Sequence, residues 1–364
     1  MNVIDYCKWR GDISFKESPF NYNDSFLLSE LAYCNFEGLI EANNSISIGD
    51  LAKCYFKDIN RLKEVNSSFV LSDTPTFLKA IADTKRFSNC RVYNYVSKLN
   101  AKNVEQFAAM MVDLSDHTTV VVFRGTDDTM IGWKEDFTIA YKDLPSQYDA
   151  VNYLNKYMKF YKKYRIIGHS KGGNLALYAS INCKPYLQNR IIQVISNDGP
   201  GIRSDAYDEQ KYLKIRNRFV KIVPQFDVVG QIYDMDQKTY IVKANGTGFA
   251  QHSIINWQVA PNNPEYVGDY DENSKLVKMV IENFLEKTSL EERKAFIEEL
   301  FDNLSDAGIK LVDDFSIDNL SKIITVIKKL SKISKKSKNT INILLYEIVN
   351  AFRKKKIFGI TISD

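Results

Sequence analysis

Gly168-His169-Ser170-Lys171-Gly172-Gly173 sets a serine between glycines in the spacing Gly-x-Ser-x-Gly. Tyr164 to Ile167 before it reads as a buried strand, and Asn174 to Ser180 after it as a helix. That strand–turn–helix context is what a nucleophilic serine turn needs, because it lifts the hydroxyl clear of the sheet edge. Gly168 and Gly172 make room where the two backbones cross. The chemistry such a serine offers is attack on a carbonyl carbon to give an acyl-enzyme.

A serine hydroxyl is a poor nucleophile at neutral pH and needs an adjacent base. The chain has three histidines. His169 adjoins Ser170, so its side chain points away from the hydroxyl and packs near the turn. His117 precedes a strand, whereas sites of parallel sheets gather at C-terminal strand ends. His252 follows the last predicted strand, and the order Ser…acid…His requires the base to come last. The third member is a carboxylate between the two that holds the imidazole tautomer. Asp227 and Asp198 each follow a predicted strand; the later position is the usual one, so Asp227 is preferred and Asp198 is the alternative. An oxyanion needs donors. The Lys171 backbone N–H, directly after the serine, is one. Thr126, in Phe123-Arg124-Gly125-Thr126, is the other. An Arg124–Asp136 pair is expected to pin that loop.

These residues need a scaffold. Met110 to Leu114 and Thr118 to Phe123 read as strands joined by a polar turn; the second is a continuous β-branched run, as expected for a strand buried on both faces. Gln193 to Ser196 and Phe219 to Val223 read as two more strands. Tyr148 to Tyr161 reads as a helix, and Asp24 to Ile40 as an amphipathic one. Alternating strands and helices predict an α/β fold, a mostly parallel central sheet flanked by helices. After about Val267 the sequence turns helical and lysine-rich. This divides the chain into a domain over 1–267 and a helical C-terminal region over 268–364, with Tyr266 to Ser274 as the boundary. Ser289-Leu290-Glu291-Glu292 resembles a capping box. Asp318 is expected to open a further helix, with Lys322, Lys328, Lys329, Lys332, Lys335, Lys336 and Lys338 along that segment. The stretch from Thr126 to Gln147 is a candidate lid.

The whole chain narrows the function classes. Its 364 residues are 45% hydrophobic and 12% aromatic, enough for a sizeable core. A formal net charge of +4 gives no reason to expect nucleic-acid binding. Five scattered cysteines argue against a disulfide frame or a zinc site. No dinucleotide or phosphate-loop fingerprint occurs, so no cofactor is implied. The N-terminus lacks the apolar core of a signal peptide, and no run approaches a membrane span, which makes the cytoplasm the expected location. Nothing in the sequence fixes an oligomeric state.

Val122-Phe123-Arg124-Gly125-Thr126, Trp133, Asp136 and Gly168-His169-Ser170-Lys171-Gly172-Gly173 resemble the class 3 (fungal-type) lipases. The chain resembles the Mbeg1-like bacterial proteins more closely. That likeness also takes in Asp5-Tyr6, Trp9-Arg10-Gly11-Asp12, Asp24, Asp198-Gly199-Pro200-Gly201, Val223-Pro224-Gln225, Gln251-His252 and Trp257. It runs to about Ala260. It implies an α/β-hydrolase fold and a triad of Ser170, Asp227 and His252, with Thr126 and Lys171 at the oxyanion. Lys171 departs from the apolar residue usual after the serine in class 3 lipases. Many Mbeg1-like proteins have serine where this chain has Asp227.

The expected function is a serine esterase or lipase-like hydrolase acting on small-molecule or lipid esters. The alternative is a non-catalytic scaffold that binds a partner or a membrane surface through its basic tail. For the tail itself the favoured reading is a helical cap with its lysines in solvent.

Overall fold

A computed structural model of the chain describes residues 1–41, 44–66, 71–127, 129–308 and 333–357. Its centre is an eight-stranded sheet in sequence order. The strands are β1 (Ser45–Ser47), β2 (Arg91–Asn100), β3 (Glu105–Asp113), β4 (Thr119–Phe123), β5 (Tyr164–His169), β6 (Ile191–Asn197), β7 (Phe219–Pro224) and β8 (Lys238–Val242). β1 to β4 pair antiparallel; β4 to β8 pair parallel, so four of the seven pairings are parallel. Parallel neighbours end at the same edge. The registers Phe123↔Gly168, His169↔Asn197 and Asn197↔Ile222 therefore bring the ends of β4 to β7 together.

The period of two along a strand feeds two apolar layers. Met110, Val112, Val120, Val122, Ile167, Ile195 and Ile222 face one side. Against them lie α1 (Val3–Arg10), α2 (Tyr22–Leu31), α3 (Ile48–Lys57), α4 (Ile59–Asn66) and α5 (Thr74–Ala82). Met111, Val121, Phe123, Ile166 and Val194 face the other. α6 (Met130–Thr138) packs on β3, and on this flank run α7 (Pro145–Tyr157), α8 (Lys171–Asn182), α9 (Pro185–Gln188) and α10 (Glu209–Arg216). This is the α/β-hydrolase fold.

From Glu272 onward the described elements are helical: α11 (Glu272–Lys287), α12 (Leu290–Asp306) and α13 (Lys335–Ile357). Ser289 caps α12 in a capping box with Glu292, as its sequence predicts. Ile297, Phe301 and Leu304 of α12 bury against Tyr141, and Phe137 of α6 lies 5.6 Å from the Phe301 ring. Lys134 pairs with Asp302 at 3.0 Å. The expected helix start at Asp318, with Lys322, Lys328, Lys329 and Lys332, lies outside the described residues. Lys335, Lys336 and Lys338 are exposed on α13. No helix among the described residues is long and apolar enough to cross a membrane.

The helix expected from Asp24 to Ile40 is shorter. It runs from Tyr22 to Leu31, then closes in tight turns, with Tyr33 N donating to Glu30 O and Cys34 N to Leu31 O. Those turns bury Tyr33, Cys34 and Phe36 rather than carrying them along one helical stripe.

Candidate active site

The site begins where β5 meets α8. Ser170 sits between them at φ 55°, ψ −130°. That backbone is sparsely populated for a non-glycine residue and costs about 1–3 kcal/mol, so its surroundings must hold it. Ser170 N donates to Asn197 O (2.9 Å), and Gly173 N to Ser170 O (2.9 Å). A Cβ on Gly168 would collide with the Gly172 backbone, so strand and helix cross here only because both are glycine. Asn197 is held in turn by Ser29 Oγ at 3.0 Å, which ties β6 to α2.

Lys171, the first residue of α8, has a backbone N–H with no intrahelical acceptor by its position. Its side chain is buried and turns to α6. Nζ lies 2.7 Å from Glu135 Oε2 and 3.0 Å from Gln106 O. A buried ammonium is tolerated only when paired, and Glu135 supplies the pair. The lysine that departs from the class 3 pattern therefore spends its charge in the core and does not present it at the serine. Thr126 Oγ1 donates to Asp136 Oδ1 at 2.7 Å. The expected Arg124–Asp136 pair does not form. Arg124 reaches instead to Asp127, at 3.9 Å, because the Thr126 hydroxyl and Lys171 already occupy the surroundings of Asp136. Burial pushes the Asp136 carboxyl up to about 6, against the pull of Lys171.

His252 ends a short 3-10 turn, Gly248–His252. Its Nδ1 lies 2.6 Å from Asp198 Oδ2. The contact places the proton on Nδ1 and leaves the Nε2 lone pair available as a base. Burial pushes the imidazole down to about 4. The ring is therefore neutral at physiological pH. The turn is fastened by Gln251, whose Oε1 accepts from Phe226 N (2.9 Å), and by Trp257 Nε1 donating to Gln251 O (2.7 Å). Trp257 is itself buried, edge-on to Phe26 at 4.8 Å. Phe249 stacks on the imidazole at 5.2 Å.

The preferred acid, Asp227, does not touch the imidazole. Its Oδ1 accepts from Gly230 N at 2.8 Å, while the alternative, Asp198, takes His252. Asp198 stands at the end of β6, at φ 50°, its N–H held by Ile222 O (2.7 Å). Burial pushes the Asp198 carboxyl up to about 6; the neighbouring Asp227 side chain, the Gly230 N–H and Lys221 oppose the rise.

His169 and His117 lie where the sequence reading puts them. His169 packs beneath the turn; Nε2 meets the His252 carbonyl at 2.9 Å, and Nδ1 meets the Tyr33 hydroxyl at 3.1 Å and Glu30 Oε1 at 3.4 Å. The His169 and His252 rings stand 4.7 Å apart. Burial holds His169 well below its ordinary range, so it is a neutral strut. His117 occupies the β3–β4 turn, at the far end of the sheet. Among the described residues no hydrogen bond joins Ser170 Oγ to His252, and no group of three side chains suits a metal ion. Glu135, Glu30 and Tyr33 carry no signal in the sequence, because their partners Lys171 and His169 are remote along the chain.

A serine at positive φ between a buried strand and a helix, on a mostly parallel sheet, defines a member of the α/β-hydrolase class. The chain belongs to the Mbeg1-like family, whose family model matches residues 81–302. Two solved structures are similar in part. One, described as a fungal lipase–inhibitor complex, is 13% identical with a TM-score of 0.38, covering 61% of this chain and 78% of that one. The other, M37 lipase, is 16% identical with a TM-score of 0.37, covering 59% and 70%. Among curated proteins no match was found.

Proposed function

We propose that this protein is a serine hydrolase that cleaves carboxylic esters through an acyl-enzyme. The observation that carries the reading is the 2.6 Å contact between His252 Nδ1 and Asp198 Oδ2, set at the same sheet edge as the strained Ser170 turn. Ser170 Oγ attacks the ester carbonyl as His252 Nε2 takes its proton. Asp198 holds the Nδ1–H tautomer and stabilises the imidazolium as it forms. His252 returns the proton to the leaving alcohol, then activates water against the acyl-enzyme. The Lys171 N–H and the Thr126 loop supply oxyanion donors, each worth about 3 kcal/mol. Serine–imidazole hydrogen bonds of this kind tighten when substrate closes the site. Asp198 takes the acid role rather than Asp227 because, of the two, it is the one that meets the ring.

Small-molecule and lipid esters are the substrate class, with the 1–267 segment as the catalytic domain and the cytoplasm as its place of action. The test is a panel of p-nitrophenyl esters of increasing chain length. Hydrolysis that disappears in Ser170→Ala supports the reading; equal rates for the two proteins contradict it.

A further inference from the structure

Asp227 is fully buried, close to the imidazole, and unused by the mechanism above. Its surroundings are specific. One backbone N–H, that of Gly230, serves two carboxyl groups: it lies 2.8 Å from Asp227 Oδ1 and 3.1 Å from Asp198 Oδ1. A Cβ on Gly230 would stand 2.8 Å from Asp227 Oδ2 and 2.9 Å from Asp198 Oδ1, so these two oxygens flank one narrow point. Asp227 Oδ2 is buried without a hydrogen-bond partner. As a carboxylate oxygen it would be an unsatisfied buried charge beside a second charge. As a hydroxyl it would have Asp198 Oδ1 as an acceptor.

The other groups facing the pair do not neutralise a second charge. Lys221 of β7 is buried, but its Nζ is committed to Gly230 O (2.6 Å) and Asp234 Oδ1 (3.0 Å). Asp234 is shared with Lys278 of α11 at 3.5 Å. Burial keeps the Tyr270 phenol, just before α11, un-ionised. The Ser274 hydroxyl of α11 and the Gln231 amide both meet the Asp227 backbone carbonyl. Among the described residues the His252 imidazole hydrogen-bonds to Asp198 alone.

We propose that Asp227 is a neutral carboxylic acid that donates its Oδ2 proton to Asp198, so that the two side chains carry a single negative charge behind His252. The proposal rests on Asp198 being the residue that orients His252. Asp227 is then a positioning residue. It completes the hydrogen bonding of the carboxylate that faces the imidazole, and its own proton stays in place as the Ser170 proton moves to His252 and back. Burial, followed by the Asp198 charge, pushes Asp227 well above the usual carboxylate range, which is the direction the arrangement requires.

The sign of one shift separates a neutral Asp227 from a charged one. A donated hydrogen bond stabilises the Asp198 carboxylate, whereas a neighbouring charge destabilises it. The acid limb of kcat/KM for p-nitrophenyl butyrate is measured in the native protein, Asp227→Ala and Asp227→Asn. The limb is expected to move about one pH unit upward in Asp227→Ala and to return in Asp227→Asn, whose amide keeps the donor. A downward shift in Asp227→Ala, or no shift in either variant, overturns the proposal. A second readout needs neither turnover nor the alanine variant. The infrared difference between the native protein and Asp227→Asn near neutral pH is expected to contain a protonated-carboxyl band; its absence overturns the proposal even in an inactive protein. If the band is present but Ser170 hydrolyses nothing, the shared proton stands and the ester-hydrolase reading falls.

Discussion

The His169 Nε2–H donates to the backbone carbonyl of His252 across 2.9 Å. The residue before the serine thus braces the loop that carries the base, although 83 positions separate them. Tyr33 fixes the other ring nitrogen at 3.1 Å. His169→Phe keeps most of the volume and loses the donor. A misplacement of about 1 Å can cost about 100-fold in rate, so kcat is expected to fall roughly 10- to 100-fold with KM little changed. Steady-state kinetics on a chromogenic ester check this; an unaltered kcat would remove the strut from the account.

Asp198→Ala deprives His252 of its carboxylate. Loss of this member in comparable triads lowers kcat about 10⁴-fold, and a drop of at least about 10³-fold is expected here. A loss under tenfold would mean that another group orients the imidazole.

The buried Lys171–Glu135 pair is structural. Lys171→Met restores the apolar type of the class 3 lipases but strands a carboxylate that also receives Gln106 N (3.0 Å) and Ser146 N (3.2 Å). Breaking a buried pair from one side costs about 3–5 kcal/mol. Urea unfolding is expected to show that loss, with most of it recovered in Lys171→Met/Glu135→Gln. A double variant no more stable than the single one would contradict the pairing argument.

Glu30 should make stability fall with rising pH. Burial first, then the Asp73 charge, pushes its carboxyl from 4.5 up to about 8. Between those values the folded chain holds a proton that the unfolded chain has released. This group's contribution is therefore complete below about 4.5 and lost as pH climbs to about 8, at up to about 1.4 kcal/mol per unit. Glu30→Gln is expected to raise the urea midpoint at about pH 9 relative to the native protein, and much less at about pH 5. An equal difference at both values would place the proton elsewhere.

What the sequence made legible was local. The glycines around Ser170, the apolar run before them and the helix after them are all contiguous, and they correspond to β5, the strained turn and α8. β4 was legible for the same reason, being apolar on both faces. β2 and β8 were not. β2 mixes polar with apolar residues and breaks register between Tyr93 and Val96; β8 is short and only half-buried. The choice between Asp227 and Asp198 could not be settled along the chain, because both follow strands. It depends on which strand end the Gly248–His252 turn overhangs, a tertiary fact set by Trp257 and Gln251. The fate of the Lys171 charge was hidden for a similar reason, since Glu135 lies 36 residues away.

The most direct measurement is active-site labelling with a fluorophosphonate, located by peptide mass spectrometry. One adduct per folded chain is expected, on Ser170, lost in Ser170→Ala and strongly slowed in His252→Ala. A folded protein that takes up no label, or carries it on another residue, would contradict the ester-hydrolase reading.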